Sequence, residues 1–327
     1  MLQDRSDLSP IYSGILIRTL FNTIFARYGS GELVELNQQR TMEFINGKPS
    51  TPIADKYQFN EIVRSIGYSA PRQFLVNPGN KGSIEEQLEK INGEQVFIKP
   101  RKGDQGGKIK VVSKQEAAVI LSKSKDESIV QELINTDSEY RYAILNENNQ
   151  KIRLCFERVL PKVTGDGKST LMQLIRHSDM PPETKAINIL NSRKSLKIVP
   201  GQGETLKLSH VVNIPSGGYE RYPDEKVMPN LDRFFTQFIG DLQARLGAQF
   251  LLISFDFGIL DNSVLQGEYD FEKMKKSIVF FESQMPFGFE GYTLHIPGTT
   301  PLNKYSVAAQ TEMRFLGEII KARNEKT

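Results

Sequence analysis

Residues 96–112 constrain the fold most, because a glycine-rich segment here separates two short apolar runs. The first run is β-prone and leads into Lys99, after which Pro100 ends ladder pairing for lack of a backbone N–H group. The pattern therefore predicts a strand, a glycine-rich turn and a second strand. At Gly106 and Gly107 the bare backbone can approach an anion closely, and neighbouring lysines supply positive charge. The turn favours a polyphosphate, with an ordinary hairpin and a solvated basic turn as the alternative.

Two glycine- and lysine-containing segments fail the P-loop pattern, which needs G-x-x-x-x-G-K-[ST] leading into a helix. After residues 96–108, Ile109 continues into a strand pattern instead of a helix. Residues 165–169 end in Gly-Lys-Ser as a P-loop does, but the first required glycine would fall at position 162, which is a lysine, Lys162. We interpret this second segment as a loop that ends where Ser169 or Thr170 caps a helix.

Oxygen-bearing side chains recur at alternate positions of other apolar runs. Residues 128–134 predict a short strand, and a second strand after a polar turn carries Glu139 facing outward. Asp256 lies in an apolar run near the far end of the chain, and Glu282 and Gln284 share one side of another. Two carboxylates and an amide that converge from two strands predict a site for Mg²⁺.

The order and spacing of these segments, over roughly residues 50–290, resemble the ATP-grasp superfamily, in particular its carboxylate–amine ligases. The chain is most similar to the ATP-grasp part of cyanophycin synthetases, and more distantly to D-alanine–D-alanine ligases and glutathione synthetases. Further matching segments are residues 54–56, 157–159, 163–171 and 212–218.

The resemblance implies an α+β fold in which two α+β lobes clamp a nucleotide, after a short N-terminal helical extension. We expect the extension at residues 1–55, the small lobe at 56–128 and the large lobe, with the metal and substrate site, at 129–327. Apolar periodicity predicts helices over residues 56–66, 84–91, 114–123 and 231–246. Residues 176–210 lack such periodicity and are expected to form an excursion around the acceptor site, and residues 262–277 a charged surface hairpin or loop.

The resemblance also assigns roles in nucleotide binding. Lys56 and Lys99 would contact the phosphates together with the glycine turn, and Glu139 would accept hydrogen bonds from the ribose hydroxyls. The segment that links the lobes would hold the adenine through its backbone and apolar side chains. Its residues are Gln131, Glu132, Leu133 and Ile134.

The implied activity is an ATP-dependent ligation of a carboxylate to an amine through an acyl phosphate, with release of ADP. Asp256, Glu282 and Gln284 would hold one or two Mg²⁺ ions, with Mn²⁺ as an alternative. Arg158 would stabilise the transferring phosphoryl group, and Asn213 would orient the acyl phosphate. Gln284 departs from the family, which usually has Asn there. An ATP-grasp kinase and a non-catalytic ATP-binding regulatory module are therefore kept as alternatives.

Composition limits other functions. The net charge of +3 is too small to argue for nucleic-acid binding. A single cysteine rules out an intramolecular disulfide, and with three histidines it makes a zinc site improbable. Residues 8–28 have an apolar helical stripe, but charged and polar residues interrupt it too often for a membrane span. We expect this helix to dock on its own fold, with a homodimer or membrane-surface helix as the alternative. Without a signal-peptide pattern, the expected location is the cytoplasm.

Overall fold

The computed structural model describes residue 43 and residues 46–78, 84–101, 109–147, 150–209 and 217–284. The expected N-terminal helix at residues 8–28, the glycine pair Gly106 and Gly107, and Asn213 lie outside these ranges. Within the described part of the chain, no helix is long and apolar enough to cross a membrane.

The first lobe is built on a four-stranded antiparallel sheet in the order β1-β4-β2-β3. Alternate residues of its strands, among them Val96, Ile98 and Val130, are buried against helices α2 and α3. The other face of the sheet carries Lys99. The expected strand–turn–strand pattern around residues 96–112 is confirmed for its two strands. The elements are α1 (Lys56–Ser65), β1 (Gln73–Val76), α2 (Ile84–Glu89), β2 (Gln95–Pro100), β3 (Lys110–Ser113), α3 (Lys114–Lys123) and β4 (Ser128–Glu132).

The second lobe is built on a five-stranded antiparallel sheet in the order β11-β10-β5-β6-β9. The expected helix near residues 231–246 is confirmed as α6, which Gly247 ends in the left-handed conformation with φ of 62°. The remaining elements are β5 (Ser138–Glu147), β6 (Gln150–Val159), β7 (Lys162–Thr164), α4 (Leu171–His177), α5 (Pro182–Asn191), β8 (Thr205–Lys207), β9 (Tyr219–Arg221), α6 (Met228–Leu246), β10 (Leu252–Ile259), α7 (Phe271–Ser277) and β11 (Ile278–Gln284).

Aromatic side chains fill the space between the large sheet and α6. Tyr142 stacks on Phe235 with ring centroids 4.1 Å apart, and Phe238 stacks on Phe280 at 4.0 Å. Phe59 of α1 stacks on Phe255 of β10 at 6.0 Å, so the first helix of the small lobe packs into the large-lobe core. The opposite face of the sheet is left for charged side chains.

A β-bulge decides which side chains of β11 face that charged surface. Asp256 pairs with Glu282, but the next residue, Phe257, pairs with Phe280, so Phe281 is the extra residue. In a regular strand, residues 280 and 282 would lie on the same face. The bulge lets Phe280 point into the core while Glu282 points to the charged side.

A smaller unit holds the two-stranded β7–β8 ribbon with α4 and α5. Thr170 begins α4 with a capping box shared with Gln173, which confirms the expected cap. The backbone N–H groups of Lys168 and Ser169 donate to the Asp166 carboxylate, at 2.9 and 2.6 Å. This carboxylate satisfies the loop donors that a P-loop would offer to phosphate.

The expected charged hairpin or loop at residues 262–277 was wrong, because this segment contains a 3₁₀ helix (Asn262–Leu265) and α7. Residues 176–210 contain α5 and β8, and their position around the acceptor site stays a prediction. Asp270 caps α7 by accepting from the Lys273 N–H at 3.0 Å, and Met274 is buried in the core. Local caps and one buried anchor therefore build a helix that is too short for periodicity to reveal.

Candidate nucleotide and metal site

The charged face of the large sheet brings together residues from four strands. The antiparallel register places Asp256 of β10 between Glu282 of β11 and Arg141 of β5. One step along the sheet, Glu139 of β5 lies opposite Arg158 of β6. Cross-strand partners point to the same face, so these side chains form one charged cluster.

Asp256 is the centre of this cluster. It is 1% exposed and accepts hydrogen bonds from Arg141 Nε at 2.7 Å, from Arg141 Nη2 at 2.9 Å and from Arg158 Nη1 at 2.7 Å. Burial would raise the pKa of Asp256, but the guanidinium groups of Arg141 and Arg158 hold it below its ordinary value. The carboxylate therefore stays ionised and fixes two cations on the sheet surface.

Glu282 and Gln284 lie beside Asp256, as the sequence predicts. Gln284 Nε2 donates to Glu282 Oε1 and lies 3.4 Å from Asp256 Oδ2, while Gln284 Oε1 accepts from Arg141 Nη2 at 3.3 Å. Lys56, the first residue of α1, places its ammonium 3.6 Å from Glu282 Oε2. The three expected metal ligands are thus in mutual contact.

The donor set fits a divalent hard cation. Glu282 faces the cluster with its side chain 20% exposed, and Gln284 supplies an amide oxygen. A carboxylate oxygen has two lone pairs, so it can accept one hydrogen bond and still ligate a metal. Asp256 Oδ1 accepts one hydrogen bond from Arg141 Nε, which leaves a lone pair for a metal. Among the described residues, no group of three or more His, Cys, Asp and Glu side chains could hold a metal ion.

Lys99 approaches the cluster from the small sheet. It is the last residue but one of β2, 6% of its surface is exposed, and no carboxylate of the described residues lies within 4.0 Å of its ammonium. Burial lowers the pKa of Lys99 to about 8, opposed by the Glu282 carboxylate and assisted by Lys56. A buried ammonium beside a cation and a carboxylate is suited to bind a further anion.

Asp55 ties α1 to the base of the glycine-rich turn. Its Oδ1 accepts from the backbone N–H groups of Tyr57 and Gln58, at 2.9 and 3.0 Å, and so caps α1 next to Lys56. Its Oδ2 accepts from Arg101 Nε at 2.8 Å, directly before residues 102–108. One carboxylate therefore fixes the position of Lys56 and the entry of the turn.

A cleft of about 1520 Å³ adjoins the charged cluster. Leu133, Ile134 and Glu139 line it, and so does Arg158, which bonds Asp256. Burial raises the pKa of Glu139, while Arg158 lowers it and Asp256 raises it further. An apolar wall followed by a carboxylate matches the expected adenine and ribose positions.

The other two linker residues make contacts inside the small lobe. The Gln131 side chain donates to Gln73 Oε1 at 2.8 Å, and the Glu132 carboxylate accepts from the Arg72 N–H at 3.3 Å. Their side chains are thus engaged, and an adenine contact through their backbone stays a prediction.

Sequence reasoning missed two members of the cluster, Arg141 and Glu220. Arg141 donates to Asp256 and lies 3.5 Å from Glu220 Oε1. The alternation of Arg141 with Glu139 on one strand was the available signal. Glu220 lies on the three-residue strand β9 opposite Arg158, a register that no local pattern shows.

Comparison with known proteins bears on this architecture. A D-alanine–D-alanine ligase from Bacillus anthracis superposes with a TM-score of 0.50 at 11% identity, covering 88% of this chain and 77% of that one. The chain has the ATP-grasp fold. The expectation of an α+β ATP-grasp architecture is confirmed.

Two curated proteins are similar to parts of this chain in sequence. A cyanophycin synthetase from Synechocystis sp. is 30% identical over 134 residues, covering 39% of this chain and 15% of that protein. A glutathione biosynthesis bifunctional protein from Clostridium perfringens is 23% identical over 229 residues, covering 63% of this chain and 29% of that protein. This ATP-grasp chain therefore spans under a third of either relative. No protein-family model matches the chain.

Proposed function

We propose that the chain is an ADP-forming ligase that uses ATP and Mg²⁺ to join a carboxylate to an amine. The observation that carries the proposal is the cluster around Asp256 on the large lobe. Arg141 and Arg158 donate to Asp256, and Glu282 and Gln284 lie beside it. Lys56, at the start of α1, lies 3.6 Å from Glu282. Lys99 of the other lobe interacts electrostatically with the same carboxylates. The sequence relatives named above support the ligase class within the ATP-grasp fold.

The residues of this chain would act mainly by positioning and charge neutralisation, which is what phosphoryl transfer requires. Lys56 and Lys99 would bind the ATP phosphates, and Arg158, held by Asp256, would stabilise the phosphoryl group during transfer. Mg²⁺ bound by Asp256, Glu282 and Gln284 would supply charge neutralisation for the phosphates. The 102–108 turn, with Gly106 and Gly107, would cover them, and Asn213 would orient the acyl phosphate.

Nucleotide recognition would use the adjoining cleft. Leu133 and Ile134 would pack against the adenine, and Glu139 would accept hydrogen bonds from the ribose hydroxyls. The backbone of Gln131 and Glu132 completes the proposed adenine site. We propose small molecules or peptides as the acid and the amine, a cytoplasmic location because the reaction consumes ATP, and a docked or dimer-forming helix at residues 8–28.

Product analysis tests the proposal. Purified chain is incubated with Mg²⁺, ATP and pools of carboxylates and amines, and ADP and phosphate are measured separately. We expect equal amounts of both, only when an acid and an amine are present together. ADP without phosphate would indicate a kinase, and nucleotide binding without turnover would indicate a regulatory module.

A further inference from the structure

The β7–β8 ribbon presents two lysines side by side on the cleft wall. Lys162 and Lys207 are direct cross-strand partners, both are exposed, and both line the cleft. Val163, which also borders the cleft, is 5% exposed in a small core with Leu206 and anchors the ribbon. Like charges directly opposite on neighbouring strands repel each other, so an anion between them would stabilise the ribbon.

Other cations of the same cleft are neutralised by carboxylates. Arg221 donates to both oxygens of Glu157, at 2.7 and 2.9 Å, and Arg158 is bonded to Asp256. For Lys162 and Lys207, no carboxylate of the described residues lies within 4.0 Å, although Asp179 lines the cleft as well. The ribbon therefore leaves two positive charges available to a ligand.

The cleft has room for more than the nucleotide. Its volume of about 1520 Å³ exceeds the range of roughly 300–1,000 Å³ typical of sites for one small ligand. Lys162 follows Arg158 by four residues, so their Cα atoms are at most about 14 Å apart. A short acidic molecule can thus reach from the reacting position at Arg158 to the lysine pair.

We propose that Lys162 and Lys207 bind a second carboxylate of the acid substrate, which makes the substrate class a dicarboxylate such as an acidic dipeptide. One carboxylate lies at Arg158 for activation, and the other lies between the two ammonium groups. This inference rests on the proposed ligase function and specifies that the acid substrate carries two carboxylates.

Calorimetric titration with two matched dipeptides, Ala-Glu and Ala-Gln, tests the proposal on the full chain without any ATP turnover. We expect wild type to prefer Ala-Glu, and Lys162→Gln/Lys207→Gln to bind Ala-Glu about tenfold more weakly, the sum of two exposed ionic contacts. Binding of Ala-Gln should not change. The matched control is Lys194→Gln/Lys197→Gln, which removes two exposed lysines outside the cleft lining and should keep the preference.

Equal affinity of wild type for the two dipeptides would overturn the proposal, and so would an undiminished preference in the cleft double variant. Loss of affinity for a non-hydrolysable ATP analogue in that variant, with dipeptide binding unchanged, would assign the lysines to the nucleotide instead. Thermal unfolding of the double variant should occur at the same or a higher temperature, since a repulsion is removed. Failure of the ligase proposal would appear separately, as absent ADP and phosphate release.

Discussion

At the scale of single residues, Asp256 is more than an expected metal ligand, because it holds two arginines in place. Its contacts with Arg141 and Arg158 give two neighbouring cations on the sheet surface one shared counter-charge. The sequence predicted Asp256, Glu282 and Gln284 because each lies in an apolar strand pattern. Arg141 could have been added from its alternation with Glu139, whereas Glu220 could not, since only the strand register reveals that it lies opposite Arg158.

Removal of charge at Asp256 and at Glu282 should have different effects. Asp256→Asn leaves two largely buried guanidinium groups without their shared counter-charge, so we expect a loss of about 3 kcal/mol in the free energy of unfolding. Glu282→Gln weakens a partly exposed pair with Lys56 but keeps an oxygen that can accept from Gln284, so it should cost under about 1 kcal/mol while turnover is lost. Urea unfolding and ADP release measure both variants. Equal stability losses would contradict the anchoring role of Asp256.

Substitutions at Gln284 separate a metal ligand from an ordinary strand residue. Gln284→Asn keeps an amide oxygen at a shorter reach and should retain Mg²⁺-dependent turnover, whereas Gln284→Leu removes the oxygen and should reduce turnover by at least tenfold. Both variants should unfold near the wild-type temperature. If the Leu variant behaves like wild type, Gln284 does not bind the metal.

Lys99 should bind the nucleotide with an uptake of protons. Lys99→Ala is expected to weaken ATP binding by about 1.5–3 kcal/mol, the scale of a charged hydrogen bond. The pKa of Lys99 is about 8 in the free chain, and bound phosphates would raise it. Affinity should therefore fall as the pH rises above 8.

Calorimetry at a pH of about 8.5, in buffers with different ionisation enthalpies, measures this proton uptake directly. The Lys99→Ala variant should show less uptake than wild type. Lys194→Ala, which removes an exposed lysine outside the cleft lining, serves as the control. Unchanged affinity and uptake in the Lys99 variant would remove Lys99 from the phosphate site.

At the scale of elements, the β-bulge and a close approach at Gly258 set the geometry of the cluster. A Cβ atom at Gly258 would lie 2.3 Å from Thr136 Cγ2 and 2.8 Å from the Phe281 ring. The link between the lobes therefore packs directly on β10. Strand existence was predictable from apolar runs, but the bulge was not, because no residue type in 278–284 signals the extra residue.

Gly258→Ala should destabilise the chain by roughly 1–3 kcal/mol, since the added methyl group overlaps Thr136 and Phe281. Thr136→Ser removes the nearest overlapping atom, Cγ2, and should restore part of this loss in the double variant. Thermal unfolding of the two single variants and the double variant forms the cycle. If the stability change of the double variant equals the sum of the two single changes, a methyl group at position 258 does not contact Thr136.

At the scale of the whole molecule, the ATP-grasp fold was predictable because its motifs keep their order over most of the chain. The sequence did not predict α5, β8 or α7: α5 begins at Pro182 without a side-chain cap, β8 has only three residues, and α7 depends on the Asp270 cap and the buried Met274. The division at residues 55/56 and 128/129 stays a prediction, and Phe59 in the large-lobe core shows that α1 belongs physically to both lobes.

Transfer of labelled oxygen tests the ligase proposal most directly. A carboxylate that supports turnover is labelled with ¹⁸O, and the released phosphate is analysed by mass spectrometry. If the carboxylate attacks the γ-phosphoryl group and the amine then displaces phosphate, each phosphate carries one oxygen from the acid. We expect one ¹⁸O atom per phosphate formed. Release of ADP with unlabelled phosphate would contradict an acyl phosphate, and with it the ligase function of this site.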